Sequence, residues 1–155
     1  MITRLRGTLL SKALDRIEVL TPMGIGYECW VSASTFERLP PVGHEVSLCT
    51  AVWRRDEGAD EMYAFLDPLE RKLFLRLQAA SGVGPRLALA MVGAWPPARL
   101  VQAIREKDVA RLRTLPGVGR KKAERIVLEL QERLDDLVAE AEAAEAPAPA
   151  ADDAV

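Results

Sequence analysis

Ser81-Gly82-Val83-Gly84-Pro85-Arg86 returns 35 positions later, counted from Gly82 to Gly117, as Pro116-Gly117-Val118-Gly119-Arg120-Lys121. Each copy lies between two runs of helical periodicity, so each predicts a hairpin joining two short helices. The two glycines of a copy permit positive φ and carry no side chain. A phosphate can therefore approach the backbone and meet the free N–H groups at the start of the next helix. Val83 and Val118 are expected to point inward and anchor the hairpins. Arg86 in the first copy, and Arg120, Lys121 and Arg125 in the second, supply charge for the same phosphate. Gly82, Gly84, Gly117 and Gly119 complete the candidate site. Such a device holds a DNA backbone without reading base edges, the solution known as a helix-hairpin-helix. A single Gly-x-Gly between helices is ordinarily a C-cap and turn. Two copies, each followed by bases, favour the phosphate site. Neither copy completes a nucleotide-binding loop or a dinucleotide fingerprint, so no ATP site is expected.

Outward from the repeat, residues 67–139 read as short helices. Asp67 can cap a helix, Pro68 suits its first position, and Leu69, Leu73, Leu77 and Ala80 recur at helical spacing. Pro85, Pro96 and Pro97 mark further starts, and Asp108 is another cap. A last helix is expected from about Arg120, with Ile126, Leu130, Leu134 and Leu137 on one face. From Ala139 onward Ala, Glu and Pro dominate, with too little apolar bulk to fold against the rest.

Toward the N-terminus, residues 1–66 alternate as strands do. Ile25, Tyr27, Cys29 and Val31 share one face of a period-two pattern; Val46, Leu48 and Val52 share another. Breaks at Pro22-Met23-Gly24, at Pro40-Pro41-Val42-Gly43 and near Gly58 suggest a small barrel of the OB type. The stretch Trp53 to Tyr63 predicts a hairpin with Asp56, Glu57, Asp60 and Glu61 near its tip. Solvated charge on a turn, metal binding and repulsion of phosphates all fit it, although the spacing matches no metal motif. The expected architecture is α+β and multi-domain. An OB-fold barrel with an acidic hairpin (1–66) precedes an all-α domain with two helix-hairpin-helix motifs (67–139). A flexible acidic Ala/Pro tail (140–155) follows.

The net charge of −2 is unevenly spread. From Glu132 to Val155 eight acids face one base, leaving 20 bases against 15 acids in the remainder, a balance of +5. A basic body with an acidic tail suits a nucleic-acid partner. No apolar run approaches the roughly 20 residues of a membrane span, and the N-terminus lacks a signal-peptide core. The reading is a soluble, cytoplasmic protein. Cys29 and Cys49 read as buried free thiols and His44 as a solvated turn residue. No cofactor, metal or catalytic group is called for. A glycosylase would need a catalytic carboxylate in a loop after the second hairpin, where this chain offers a helix and an acidic tail. A single-strand binder would need exposed aromatics among Tyr27, Trp30, Phe36, Trp53, Tyr63 and Phe65.

Taken in order along the chain, the motifs resemble the RuvA family. They are Ile2-Thr3-Arg4-Leu5-Arg6-Gly7, Gly24-Ile25-Gly26-Tyr27-Glu28, Leu39-Pro40-Pro41-Val42-Gly43, Tyr63-Ala64-Phe65, Glu70-Arg71 and Leu73-Phe74, then Gly82 to Leu89 and Leu115 to Arg125. The resemblance implies a non-catalytic subunit that holds a Holliday junction open and square in branch migration. It implies a homotetramer, single or paired, serving the RuvB motor alongside the RuvC resolvase. It maps the family's central acidic pin onto Asp56 and Glu57, although the turn here is slightly longer and Asp60 and Glu61 add charge. Family members usually continue into a small three-helix domain that grips RuvB. That domain is expected to be missing, either from a piece of a longer protein or from an unusual form.

Overall fold

The computed structural model describes residues 1–146. Five strands close the N-terminal barrel: β1 (Arg4–Lys12), β2 (Arg16–Leu20), β3 (Gly26–Trp30), β4 (Glu45–Trp53) and β5 (Glu61–Phe65). Their order around it is β1-β2-β3-β5-β4, closed by one parallel contact between Trp30 and Tyr63. Helix α1 (Ala33–Arg38) connects β3 to β4, and Ser32 caps it by accepting the Thr35 N–H. Leu5, Leu9, Ile17, Val19, Cys29, Val46 and Leu48 fill the interior. Gly7 is required where β1 crosses β2, because a Cβ there would lie 2.2 Å from the Leu20 carbonyl oxygen.

Residues that point out of the barrel from β4 and β5 are apolar as well. Cys49, Ala51, Tyr63 and Phe65 join the core of the helical part rather than face water. That part comprises α2 (Pro68–Leu77), α3 (Pro85–Ala94), α4 (Pro97–Arg105), α5 (Val109–Leu112), α6 (Arg120–Leu130) and α7 (Asp135–Glu145). Asp67 accepts the Leu69 N–H at the start of α2, and Asp108 accepts the Arg111 N–H at the start of α5. Proline opens α2, α3 and α4, where its missing N–H costs nothing. At Pro96 the chain turns by 108° between α3 and α4, because proline cannot carry the preceding helix onward. The two parts thus share a buried seam and hold each other in place.

The long last helix expected from Arg120 is instead two, α6 and α7, separated at 131–134. Ile126, Leu130, Leu134 and Leu137 are all buried, so their apolar spacing is real. Asp135 and Asp136 favour a new helix start, and Arg76 holds Asp136 through paired contacts at 2.9 and 2.6 Å. The tail expected from residue 140 is corrected at its start. Residues 140–145 complete α7, where Ala141 is buried and Glu140 meets Lys72 at 2.7 Å. The remainder of that tail lies outside the described residues. Ile25 is a third correction, since it precedes β3 and is exposed. Both cysteines are buried and free, burial pushing the Cys29 thiol up to about 12. Among the described residues, no single helix is long and apolar enough to cross a membrane.

Candidate nucleic-acid interface

The hairpin before α3 and the hairpin before α6 fold alike. Val83 donates its N–H to the Ala80 carbonyl and Val118 its own to Leu115, each at 3.1 Å. Both valines are buried, as their anchoring role requires. Gly82 and Gly117 adopt positive φ, +83° and +77°. Gly84 and Gly119 do not: their φ values of −84° and −85° belong to extended backbone open to any residue. The second glycine of each copy therefore answers to something other than conformation. A Cβ built on Gly84 or Gly119 meets nothing within 4 Å, so no contact within the described chain demands glycine there either. Both are N-caps without a side-chain hydrogen bond, which leaves first-turn N–H groups of α3 and α6 available to an external acceptor.

The two hairpins lie side by side. A Cβ at Gly117 would sit 3.1 Å from Leu87 of α3, and one at Gly82 would sit 4.0 Å from the Lys122 stem of α6. Between them runs a groove of about 770 Å³ lined by Ser81, Gly82, Gly117, Gly119, Arg120, Lys121, Lys122, Glu124 and Arg125. Six of the ten candidates line it, Gly82, Gly117, Gly119, Arg120, Lys121 and Arg125, but its charge is not that of a simple basic patch. Arg120 is engaged by Glu124 at 3.0 Å, and Arg125 lies 3.9 Å from Glu129, which accepts the Ser81 N–H at 2.6 Å. Lys121 and Lys122 have no ion pair among the described residues; Lys121 is exposed and Lys122 half-buried. Lys122 was absent from the candidates, although the unbroken run Arg120-Lys121-Lys122 carried its signal.

The acidic stretch forms the expected hairpin between β4 and β5, with Gly58 at φ +93° in its turn. Asp56, Glu57 and Asp60 are exposed along residues 54–60. Glu61 is not a tip residue. It opens β5, and its side chain turns toward Tyr63.

Comparison with known proteins bears on the whole arrangement. The family model described as RuvA N terminal domain matches residues 1–63, and the SAM-like helix-hairpin-helix tandem matches residues 74–132. The Holliday junction branch migration complex subunit RuvA of Gemmatimonas aurantiaca is 44% identical over 155 residues, covering all of this chain and 78% of the relative. The subunit of the same name from Acidobacterium capsulatum is 46% identical, over 99% of this chain and 77% of its own. That from Halorhodospira halophila is 45% identical over 135 residues, 87% of this chain and 65% of the relative. The chain belongs to the RuvA family.

Within this RuvA-family chain, Arg86 also has partners inside the protein. Its guanidinium lies over the Trp30 ring at 3.3 Å, donates to the Tyr63 hydroxyl oxygen at 3.1 Å and meets Glu61 at 3.1 Å. Tyr63 in turn donates to Glu61 at 2.7 Å, and burial together with that carboxylate pushes the phenol up to about 12. Arg86 thus braces the barrel against the first hairpin, and the accessible charge of the groove comes from the second. The cluster has a pH signature. The Tyr63 hydroxyl first, then Arg86 and Arg55, hold the Glu61 carboxyl below its usual range. As pH falls, the unfolded chain takes up the proton first. The stabilisation is therefore complete above the ordinary glutamate value of about 4.3 and is lost as pH drops through the lower folded value. Glu61→Gln is expected to flatten the acid limb of a Tm-against-pH curve. An acid limb identical to the parent's would show that the cluster adds no linked stability.

Proposed function

We propose that this chain binds four-way DNA junctions through phosphate contacts and serves branch migration as a non-catalytic RuvA-type subunit. One observation carries the reading. Gly84 and Gly119 stand where, among the described residues, no neighbour and no backbone angle asks for glycine, and Gly119 lines a groove that also holds Lys121 and Lys122, which have no ion pair among the described residues. That combination suits a close-lying, sequence-independent phosphate. The DNA site comprises Gly82, Val83, Gly84, Gly117, Val118, Gly119, Arg120, Lys121 and Arg125, extended to Lys122, with Arg86 as brace. Asp56 and Glu57 form the acidic pin. The family's printed name, branch migration complex subunit, supports a partner that supplies the motor, in this reading RuvB, with RuvC as the resolvase. Residues 1–66 act as the barrel and pin, and 67–139 as the DNA-binding domain. The working form is a cytoplasmic homotetramer, single or paired, which sets several hairpin pairs around one junction. Neither glycine hairpin has the form of an ATP loop, so hydrolysis falls to the partner.

A single-strand-binding barrel is less well supported. Tyr63 and Phe65 are fully buried, and Trp30 is covered by Arg16 and Arg86. Gel shifts with four-way, duplex and single-stranded DNA separate the readings, and the junction is expected to bind most tightly. Lys121→Ala should weaken binding to every sequence alike and lower the salt slope by about one unit. A loss that depended on base sequence would contradict phosphate recognition.

A further inference from the structure

Trp53 has a different environment from the other two tryptophans. Trp30 is covered by the guanidinium groups of Arg16 and Arg86, and Trp95 is buried beneath Arg99. Trp53 is 40% exposed, with no ring or cation stacked on it among the described residues. Its direction follows from the strand. Cys49, Ala51 and Trp53 alternate onto the outer face of β4, the face whose Cys49 and Ala51 meet the helical core. Directly opposite on β5 is Glu61, so the two side chains share a face. Glu61 is the residue that reaches Arg86 in the first turn of α3. The indole therefore lies on the side of the barrel next to the first hairpin, three residues before Asp56 at the pin.

An indole left bare in that place costs hydration free energy unless something covers it. A group that covers it would lie near the first hairpin and the acidic turn, and a flat apolar face would suit the indole best. Duplex DNA does not offer one, because its base faces are stacked on one another. A junction held open does, at the base pair that ends each arm where strands exchange. We propose that Trp53 stacks on that terminal base at the crossover, so that the hairpin rewards an opened junction as well as repelling a continuous duplex. The inference rests on the junction-binding reading above. Stacking on an aromatic tolerates every base, as branch migration through arbitrary sequence requires.

The test uses the full chain and a synthetic four-way junction carrying 2-aminopurine at the crossover or in mid-arm. The variants are Trp53→Thr, which keeps a strand-forming residue but removes the ring, and Trp53→Phe, which keeps a ring. Trp53→Thr is expected to lose about tenfold in junction affinity, with duplex affinity within about twofold of the parent and an unchanged Tm. The crossover probe should be dimmer in complexes of the parent and of Trp53→Phe than in those of Trp53→Thr, with mid-arm probes alike. Equal probe intensity and unchanged junction affinity for Trp53→Thr would overturn the stacking while junction preference itself stood. Equal losses for junction and duplex would overturn it too, by showing that Trp53 only supports the hairpin. A parent chain with no preference for junctions would instead remove the reading on which the inference rests.

Discussion

Gly119→Val is expected to lower DNA affinity at least tenfold while leaving the fold intact, and Gly117→Val to fail in the opposite order. The difference comes from the backbone. At Gly119 the φ of −85° suits valine, and an added Cβ meets nothing in the described chain. The added isopropyl group would stand in the open space beside the first-turn N–H groups of α6, where a phosphate has to sit. Hydrogen bonds to a charged partner contribute about 1.5–3 kcal/mol each, so excluding one phosphate corresponds to roughly tenfold or more. The stability cost should be limited to a poorer N-cap, about 1 kcal/mol or less. At Gly117 the φ is +77° and Leu87 lies 3.1 Å from the new Cβ. A β-branched residue there carries backbone strain of about 1–3 kcal/mol before any DNA is present. Thermal unfolding and gel shifts on the two variants separate the cases. Full affinity in a folded Gly119→Val would show that the phosphate does not approach this hairpin.

What was legible in the sequence was local. Asp67-Pro68, Pro85 and Asp108 place helix starts through their own backbone chemistry, without reference to distant residues. The glycine hairpins are equally local, and Val83 and Val118 are anchored as their spacing implies. The internal partners of Arg86 were not legible because they are remote. Glu61 lies 25 positions away and Trp30 farther still, and only barrel closure brings them together. A signal for Glu61 did exist: it alternates with Tyr63 and Phe65 on one face of β5, the face that enters the helical core. The division between α6 and α7 was hidden for a related reason. Ile126, Leu130, Leu134 and Leu137 keep helical spacing across it, while a contact made at the start of α7, Arg76 with Asp136, spans 60 positions.

That inward turn of Glu61 sharpens the expectation for the pin. With Glu61 engaged by Tyr63 and Arg86, the outward carboxylates are Asp56, Glu57 and Asp60. Two like charges about 4 Å apart repel by about 1 kcal/mol in water and about 4 at an effective dielectric near 20. Phosphates laid across these exposed tips would feel the weaker end of that range. In the proposed homotetramer the repulsion would recur in every subunit and accumulate against a continuous duplex crossing the centre. An open junction presents a gap there and escapes most of it. On the proposed reading, carboxylates at this point would reduce total affinity and raise the difference between the two DNA shapes, gaining specificity by penalising the wrong partner. Asp56→Asn combined with Glu57→Gln is therefore expected to raise duplex affinity about tenfold and junction affinity much less, narrowing the preference between them. Because the Debye length is only about 10 Å at 0.1 M salt, the gain should be largest at low ionic strength and shrink as salt is added. Binding curves for both DNA shapes across a salt series provide the measurement. A duplex-to-junction ratio that stayed at the parent's value throughout would leave Asp56 and Glu57 as solvated turn residues, and would move the test to Asp60.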